Sequence, residues 1–362
     1  MRIVSHRPSS GIALIMVMMV IVVLGVLAGG FAAAMQVEAR LARNGRFESD
    51  LEWIGRSGVE FARYVLAEQV SVANEPWDSL NQKWAGGPVG TNEILAALSL
   101  NDNPLGPGSF SVKIVDLERK FNINQISEGN SFILRRALEL SGAEHVDFTA
   151  INDAFLDWKD PDDMPHLSGA ESSDYLNMPN PGFTPYLAKN GPLDEPTELL
   201  RIRGITPELF WGGSGKPGRH SFKQEVKPGT SEQFRGGLVN LFTTLSRGAV
   251  NINTASAEVL QLIPGIDETT AQAIIAARSG LDGVDGTEDD VPFRSVDELM
   301  NLPGMVPQLV QQIRNFLTPR SSTFEVVVEA KIGEQRREFS ALLLRPSPSN
   351  LRDIQTYFFH WN

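Results

Sequence analysis

With no cysteine among its 362 residues, the chain is excluded from thiol catalysis, cysteine-held zinc and disulfide bracing. Its 32 basic and 44 acidic side chains leave a formal net charge of −12, the wrong sign for an unspecific grip on nucleic acid, which depends on clustered Lys and Arg. A hydrophobic content of 42% supports a packed core instead of disorder, and the length allows two domains.

The chain opens on MRIVSHRPSSG, which carries Arg2, His6 and Arg7 and no acid. From Ile12 to Met35 it is uncharged and dominated by Ile, Leu, Val, Met and Ala. As a helix that stretch reaches roughly 36 Å, enough for the ~30 Å hydrocarbon core with some tilt. The short basic end is expected to stay cytoplasmic and the rest to be exported, giving a single-span protein. A cleaved secretory signal is one alternative, and Ala32-Ala33-Ala34 has the small residues of a cleavage site. The apolar core of such a signal is only about 7–15 residues, however. A plain membrane anchor is the other alternative.

After Met35, apolar positions such as Leu51, Ile54, Phe61, Val65 and Leu66 recur at helical spacing among Glu and Arg. The membrane helix is thus expected to continue as an amphipathic stalk to about Gln69, although Gly45, Gly55 and Gly58 weaken it. Residues 74–103 read as loop, with a short helix near Glu93–Leu98. Ser109–Asp116 alternates as a half-buried strand should. Near the C-terminus, Phe324–Ile332 and Arg336–Arg345 read as two strands around Gly333-Glu334, and Ile354–Trp361 adds a third. The fold class is therefore α+β, a long N-terminal helix on an antiparallel sheet. Between the first strand and its partners lies a stretch helical in pattern, expected to form an inserted domain.

A short basic leader ending in Gly11, a long apolar helix and an amphipathic continuation resemble a type IV pilin or pseudopilin precursor. The resemblance implies a cut by prepilin peptidase between Gly11 and Ile12. Most pilin-like proteins carry Glu at the fifth mature position, where it offsets the terminal ammonium of a neighbouring subunit; here that position is Met16. A carboxylate in a bilayer is expensive and is kept for a partner, so its loss suits a subunit lacking one neighbour. Together with the large size and the interrupted sheet, this is similar to the K-type minor pseudopilins of type II secretion. The resemblance implies inner-membrane anchoring with a periplasmic body, and hetero-oligomeric assembly with minor pseudopilins I and J at a pseudopilus tip. Secreted cargo is a further partner. The members of that family often hold a cysteine pair, which this chain lacks. The implied division is a leader over 1–11, a membrane helix over 12–35 and stalk with first strand over 36–119. An inserted helical domain over 120–319 and C-terminal pilin strands over 320–362 complete it.

Inside the insert a pattern recurs at Glu198–Ile205, Glu258–Ile266 and Glu298–Met305. Each is an apolar helix ending at Gly204, Gly265 or Gly304, where glycine supplies a left-handed turn. Ser295 and Glu298 have capping-box spacing. The middle unit, VNINTASAEVLQLIPGIDETTAQAIIAARSG, resembles a helix-hairpin-helix motif, so the insert is expected to contain such (SAM-like) units. That motif raises a rival function, a membrane-anchored DNA-binding or uptake protein. Asp267 stands where the DNA-binding form has a second glycine, and it is followed by Glu268; these would repel phosphate, so no nucleic acid is expected.

Residues 157–174 hold Asp157, Asp160, Asp162, Asp163, Glu171 and Asp174, in a segment kept irregular by Pro161 and Pro165. Calcium takes six to eight oxygens at about 2.3–2.6 Å. The run resembles the Asp-Trp-x-Asp-x-Asp…Gly-Ala-Glu signature of the same family, whose inserted domain binds calcium; the alternative is a solvated acidic loop. A second cluster, Asp282, Asp285, Glu288, Asp289 and Asp290, lacks EF-hand spacing and reads as a plain loop. No G-x-S-x-G, H-E-x-x-H or P-loop is present, and His6, His145, His166, His220 and His360 are scattered. The chain is expected not to be an enzyme.

Overall fold

The computed structural model describes residues 10–73, 75–88, 92–143, 146–177, 184–213, 236–346, 350 and 352–361. Most of the expected leader, and His6, His145 and His220, lie outside them. Helix α1 runs unbroken over Ser10–Gln69. Its first part, Ile12–Ala39, has a mean hydropathy of 3.0 and no burial within the protein, so nothing in the fold covers it. Its last turns bury Leu51, Ile54, Val59, Ala62, Val65 and Leu66.

Those side chains sit on a sheet whose strands, numbered along the whole chain, come from both ends of it. They are β1 (Asn103–Leu105) and β2 (Gly108–Asp116), then β7 (Thr323–Ile332), β8 (Gln335–Leu344) and β9 (Gln355–Trp361). The order is β1-β2-β7-β8-β9, every pair antiparallel. Val112 faces Val328 and Val328 faces Phe339, so one row of apolar side chains meets the helix. Gly333, at φ 57°, turns the β7–β8 hairpin.

The two glycines that count against a stalk helix on propensity explain how closely it docks. A Cβ on Gly55 would stand 2.4 Å from Phe339 Cδ2, and one on Gly58 would stand 2.4 Å from Val328 Cγ1. Both contacts are too short to exist, so absent side chains let the helix approach the sheet. Val328 is β-branched and stiff at χ1, which leaves it little room to yield. Gly58→Ala should gain helix propensity yet lower stability by about 1–3 kcal/mol through overpacking. A raised melting temperature for that variant would refute the close-docking argument.

Strand β1 was not expected, since Pro104 argues against a strand. It is a short edge piece, where a missing N–H costs no ladder bond.

Between β2 and β7 the chain leaves the sheet and builds a second core around Phe121, Phe155, Trp158, Phe210, Phe242 and Ile274. The connection is mainly short helices, with two small parallel ladders. β3 (Phe121–Asn122) pairs with β4 (Phe242–Thr243), and β5 (Val250–Asn251) pairs with β6 (Leu317–Thr318). Gly204, Gly265 and Gly304 all adopt positive φ, at 90°, 79° and 84°. The middle hairpin joins α-helices Ala257–Leu260 and Glu268–Arg278. In the first and third units the leading element is instead a 3-10 turn, Pro196–Arg201 and Val296–Asn301. The Ser295 capping box does not form. Glu298 accepts from the Arg294 N–H at 2.8 Å, and the Ser295 side chain caps nothing.

Candidate functional site

The acidic segment begins on the helix Phe148–Lys159, whose N-cap Asp147 accepts from the Ala150 N–H at 3.0 Å. Asp160 ends that helix in extended backbone, as a residue before proline should. The loop that follows packs on an aromatic cluster. Trp158 meets Tyr175 edge-on at 5.5 Å, and Tyr175 stacks on Tyr186 at 5.2 Å. The first hairpin unit holds it from below: the Arg203 guanidinium donates to the Ser168 and Gly169 carbonyls, and the Arg203 N–H donates to the Tyr175 hydroxyl.

This scaffold gathers four of the six acids into two overlapping groups that share Asp160. One oxygen each from Asp160, Asp162 and Glu171 lie within 4.8 Å of one another, and Asp157, Asp160 and His166 form an overlapping group. Asp157 is fully buried; its Oδ1 accepts from the His166 N–H at 3.0 Å and contacts His166 Nδ1. Its Oδ2 is buried without a hydrogen-bond partner among the described residues, as are Asp160 Oδ1 and both carboxylate oxygens of Glu171. Gly169 makes room for this, because a Cβ there would stand 1.8 Å from Asp157 Oδ2. Asp163 lies beside the group and accepts from Ser172 Oγ at 3.2 Å and Asn190 Nδ2 at 3.1 Å. Asp174 is engaged elsewhere, accepting from the Glu171 N–H at 3.0 Å.

Buried oxygens with no donor carry a desolvation cost that something must offset. Burial, then the charges of Asp157, Asp160 and Asp163, push the Glu171 carboxyl up to about 7. Asp160 is raised by burial and by Asp162 and Asp157. The hydrogen bond to Asp157 raises His166, making it a partial counter-charge. Lys159 does not serve as one, since its ammonium donates to the Asn124 and Ile126 carbonyls. The unpartnered oxygens of Asp157, Asp160 and Glu171 are a donor set suited to a hard divalent cation. His166 escaped the sequence reading because nothing in the spacing of a lone histidine reveals that a loop folds it onto Asp157.

The second acidic loop is different in kind. Asp289 accepts from the Leu281 and Asp282 N–H groups, Asp290 from the Gly286 N–H, and Asp285 pairs with Arg278 at 2.7 Å. Asp282, Asp289 and Asp290 thus hold the turns of the loop, and Asp285 ties it to the preceding helix.

The Asn251-Ile-Asn-Thr-Ala255 run serves as the joint between insert and sheet. Asn251 Nδ2 donates to the Asp78 carbonyl, Asp116 Oδ2 and Ser321 Oγ, and Thr254 Oγ1 donates to Asp116. Asn253 exchanges two hydrogen bonds with the backbone of Phe293. Asp78 binds Arg345 at 2.8 Å, both buried. Glu118 accepts from the Ser322 and Thr323 N–H groups. Burial, with Glu118 next, pushes Asp116 up to about 7. The side chains of the motif that resembles DNA-binding hairpins are thus buried in a protein joint. At the hairpin turn, Asp267 caps the following helix through Thr270, and that hydrogen bond keeps it ionised by lowering its pKa.

An unburied membrane-length helix, continued as a stalk on an antiparallel sheet with a hairpin-bearing insert between two paired strands, defines a pilin-like subunit. Residues 119–211 match the family model described as type II secretion system (T2SS), protein K, and residues 246–318 match that of the helix-hairpin-helix motif. The type II secretion system protein K of Pseudomonas aeruginosa is 24% identical over 96% of this chain and 92% of its own length. That of Aeromonas hydrophila is 22% identical, covering 96% of each. A chain of the GspK-GspI-GspJ complex from the enterotoxigenic Escherichia coli type 2 secretion system has the same fold. It matches at a TM-score of 0.60 and 18% identity, over 89% of this chain and 99% of that one. The chain is thus similar to type II secretion system protein K over nearly its whole length, and these likenesses support a minor pseudopilin. That family is a structural one of the secretion machinery, and the hairpin does not favour a DNA-uptake role.

Proposed function

We propose that this minor pseudopilin caps the tip of a periplasmic pseudopilus, together with minor pseudopilins I and J, and so supports export of cargo across the outer membrane. The observation that carries this reading is the division of α1. Its C-terminal turns are committed to the sheet, whereas Ile12–Ala39 is left wholly uncovered for bilayer or sister helices. In this reading prepilin peptidase cuts between Gly11 and Ile12, the helix waits in the inner membrane, and the body lies in the periplasm. Met16 in place of a carboxylate suits one-sided assembly, and the insert hinders addition of further subunits.

The acidic loop is read as a calcium site in which Asp157, Asp160, Asp162 and Glu171 supply oxygens, supported by Asp163. Bound calcium would supply the positive charge that these carboxylates lack, fixing the loop against the first hairpin unit.

Co-expression with a prepilin peptidase should shorten the protein by residues 1–11, read as intact mass. An uncut chain, or one cut near Ala34, would remove the pilin processing from the reading. Tip placement has its own test: Met16→Glu should disturb it in a reconstituted complex with I and J, and unchanged placement would defeat the electrostatic argument.

A further inference from the structure

Strand β1 covers only the beginning of β2, pairing with Gly108–Phe110. The next outward N–H, that of Val112, donates to the Leu100 carbonyl at 2.7 Å. Strand alternation points the N–H and C=O of Ile114 the same way, and no described residue pairs with them. A cavity of about 460 Å³ opens at this place, lined by Trp84, Leu100, residues 112–116 and Arg119.

Three cations, Lys83, Lys113 and Arg119, line the same cavity. None of them makes a side-chain hydrogen bond or ion pair with a described residue. Burial disfavours the charge on Arg119. Asp116 also lines the cavity, but its oxygens are taken by Asn251, Thr254 and the Glu118 N–H. In a chain of net charge −12, three cations without a close ion pair thus stand beside an open strand edge, with only the more distant charges of Asp116 and Asp285 favouring that of Arg119.

We propose that this edge of β2 receives an extended acidic segment of another polypeptide, which adds as a strand beside Ile114–Asp116 and places a carboxylate on Arg119. Backbone pairing with Ile114 would give the affinity, as in other cases of strand addition, and the cations the choice of partner. Lysines on a sheet edge repel neutral or basic strands in the same way.

The test uses the full chain in detergent micelles at low salt, with fluorescein-labelled Ac-Val-Glu-Val-Glu-Val-NH2 and its lysine counterpart. The glutamate peptide should bind at least about tenfold tighter and slow amide exchange at Ile114. Lys113→Glu, at an exposed position, and Arg119→Gln should each weaken it about tenfold. Equal binding of the two peptides would overturn the proposal, as would protection elsewhere or self-association of the chain through this edge. Displacement by inorganic phosphate with no change in exchange would reduce the cavity to a free-anion site and overturn it too.

Discussion

Replacing Arg345 with methionine is expected to cost about 3–5 kcal/mol, because the change strands a buried carboxylate while keeping the side-chain volume. Arg345 is 2% exposed, donates to both oxygens of Asp78 and to the Ser321 carbonyl, and lies over the Phe324 ring at 4.9 Å. Without it Asp78, equally buried, keeps among the described residues only the Ser321 N–H and the distant Arg320, whose Nε is 3.9 Å away. The pair joins the loop after α1 to the end of β8, so its loss should be felt across the whole molecule. Urea unfolding of the full chain, followed by tryptophan fluorescence, reads the cost. The double variant Asp78→Asn with Arg345→Met should recover part of it, since no charge is then left unpaired. A single-variant cost under about 1 kcal/mol would mean that Arg320 substitutes for Arg345 and that the joint does not depend on this pair.

The second large effect concerns calcium and pH. Glu171 is raised from 4.5 to about 7 in the folded, cation-free chain. Between those values the folded state holds a proton that the unfolded state has released. Stability without the cation should therefore fall as pH rises from 4.5 to 7. Calcium must displace that proton, so its affinity should drop about tenfold per pH unit below 7, and about 100-fold by pH 5. At a free concentration 100 times its Kd, calcium adds about 2.7 kcal/mol. The melting temperature should accordingly rise clearly with calcium at pH 8 and little at pH 5. In Glu171→Gln the slope of cation-free stability between pH 4.5 and 7 should flatten. An equal calcium shift at both pH values would leave Glu171 outside the site.

Periodicity made much of the architecture legible. The stalk ends at Gln69, and β2, β7, β8 and β9 lie within a residue of their expected ends; β2 and β7 bury alternate residues, as a strand with one face on the core must. What escaped the reading depends on what a residue meets far along the chain. Gly55 and Gly58 looked like weak points, and only Phe339 and Val328 show why a side chain cannot stand there. Asp78, Asp116, Glu118 and Arg345 carry no local pattern at all; they matter because four distant segments meet at one buried place. The Asn-Ile-Asn-Thr-Ala run was noticed as a motif, but its role belongs to the joint. In the acidic loop the composition was visible, whereas the convergence of Asp157, Asp160, Asp162 and Glu171, and the turning away of Asp174, follow from the fold around Trp158 and Arg203.

Strands β2 and β7 are hydrogen-bonded neighbours, with Asp116 facing Phe324 and the Leu117 N–H donating to the Thr323 carbonyl at 3.0 Å. The whole insert departs and returns at that point. Closing an unstructured loop of that length costs roughly 5 kcal/mol in chain entropy, to be met before any strand contact rewards it. If the insert first collapses on its own core, its two ends are already side by side and little of that cost remains. The order of events during refolding should follow: pulse-labelled amides of the helix Glu268–Arg278 gain protection before those of β7, and simultaneous protection would contradict this order. The seat for α1 is then the last part of the molecule to be completed.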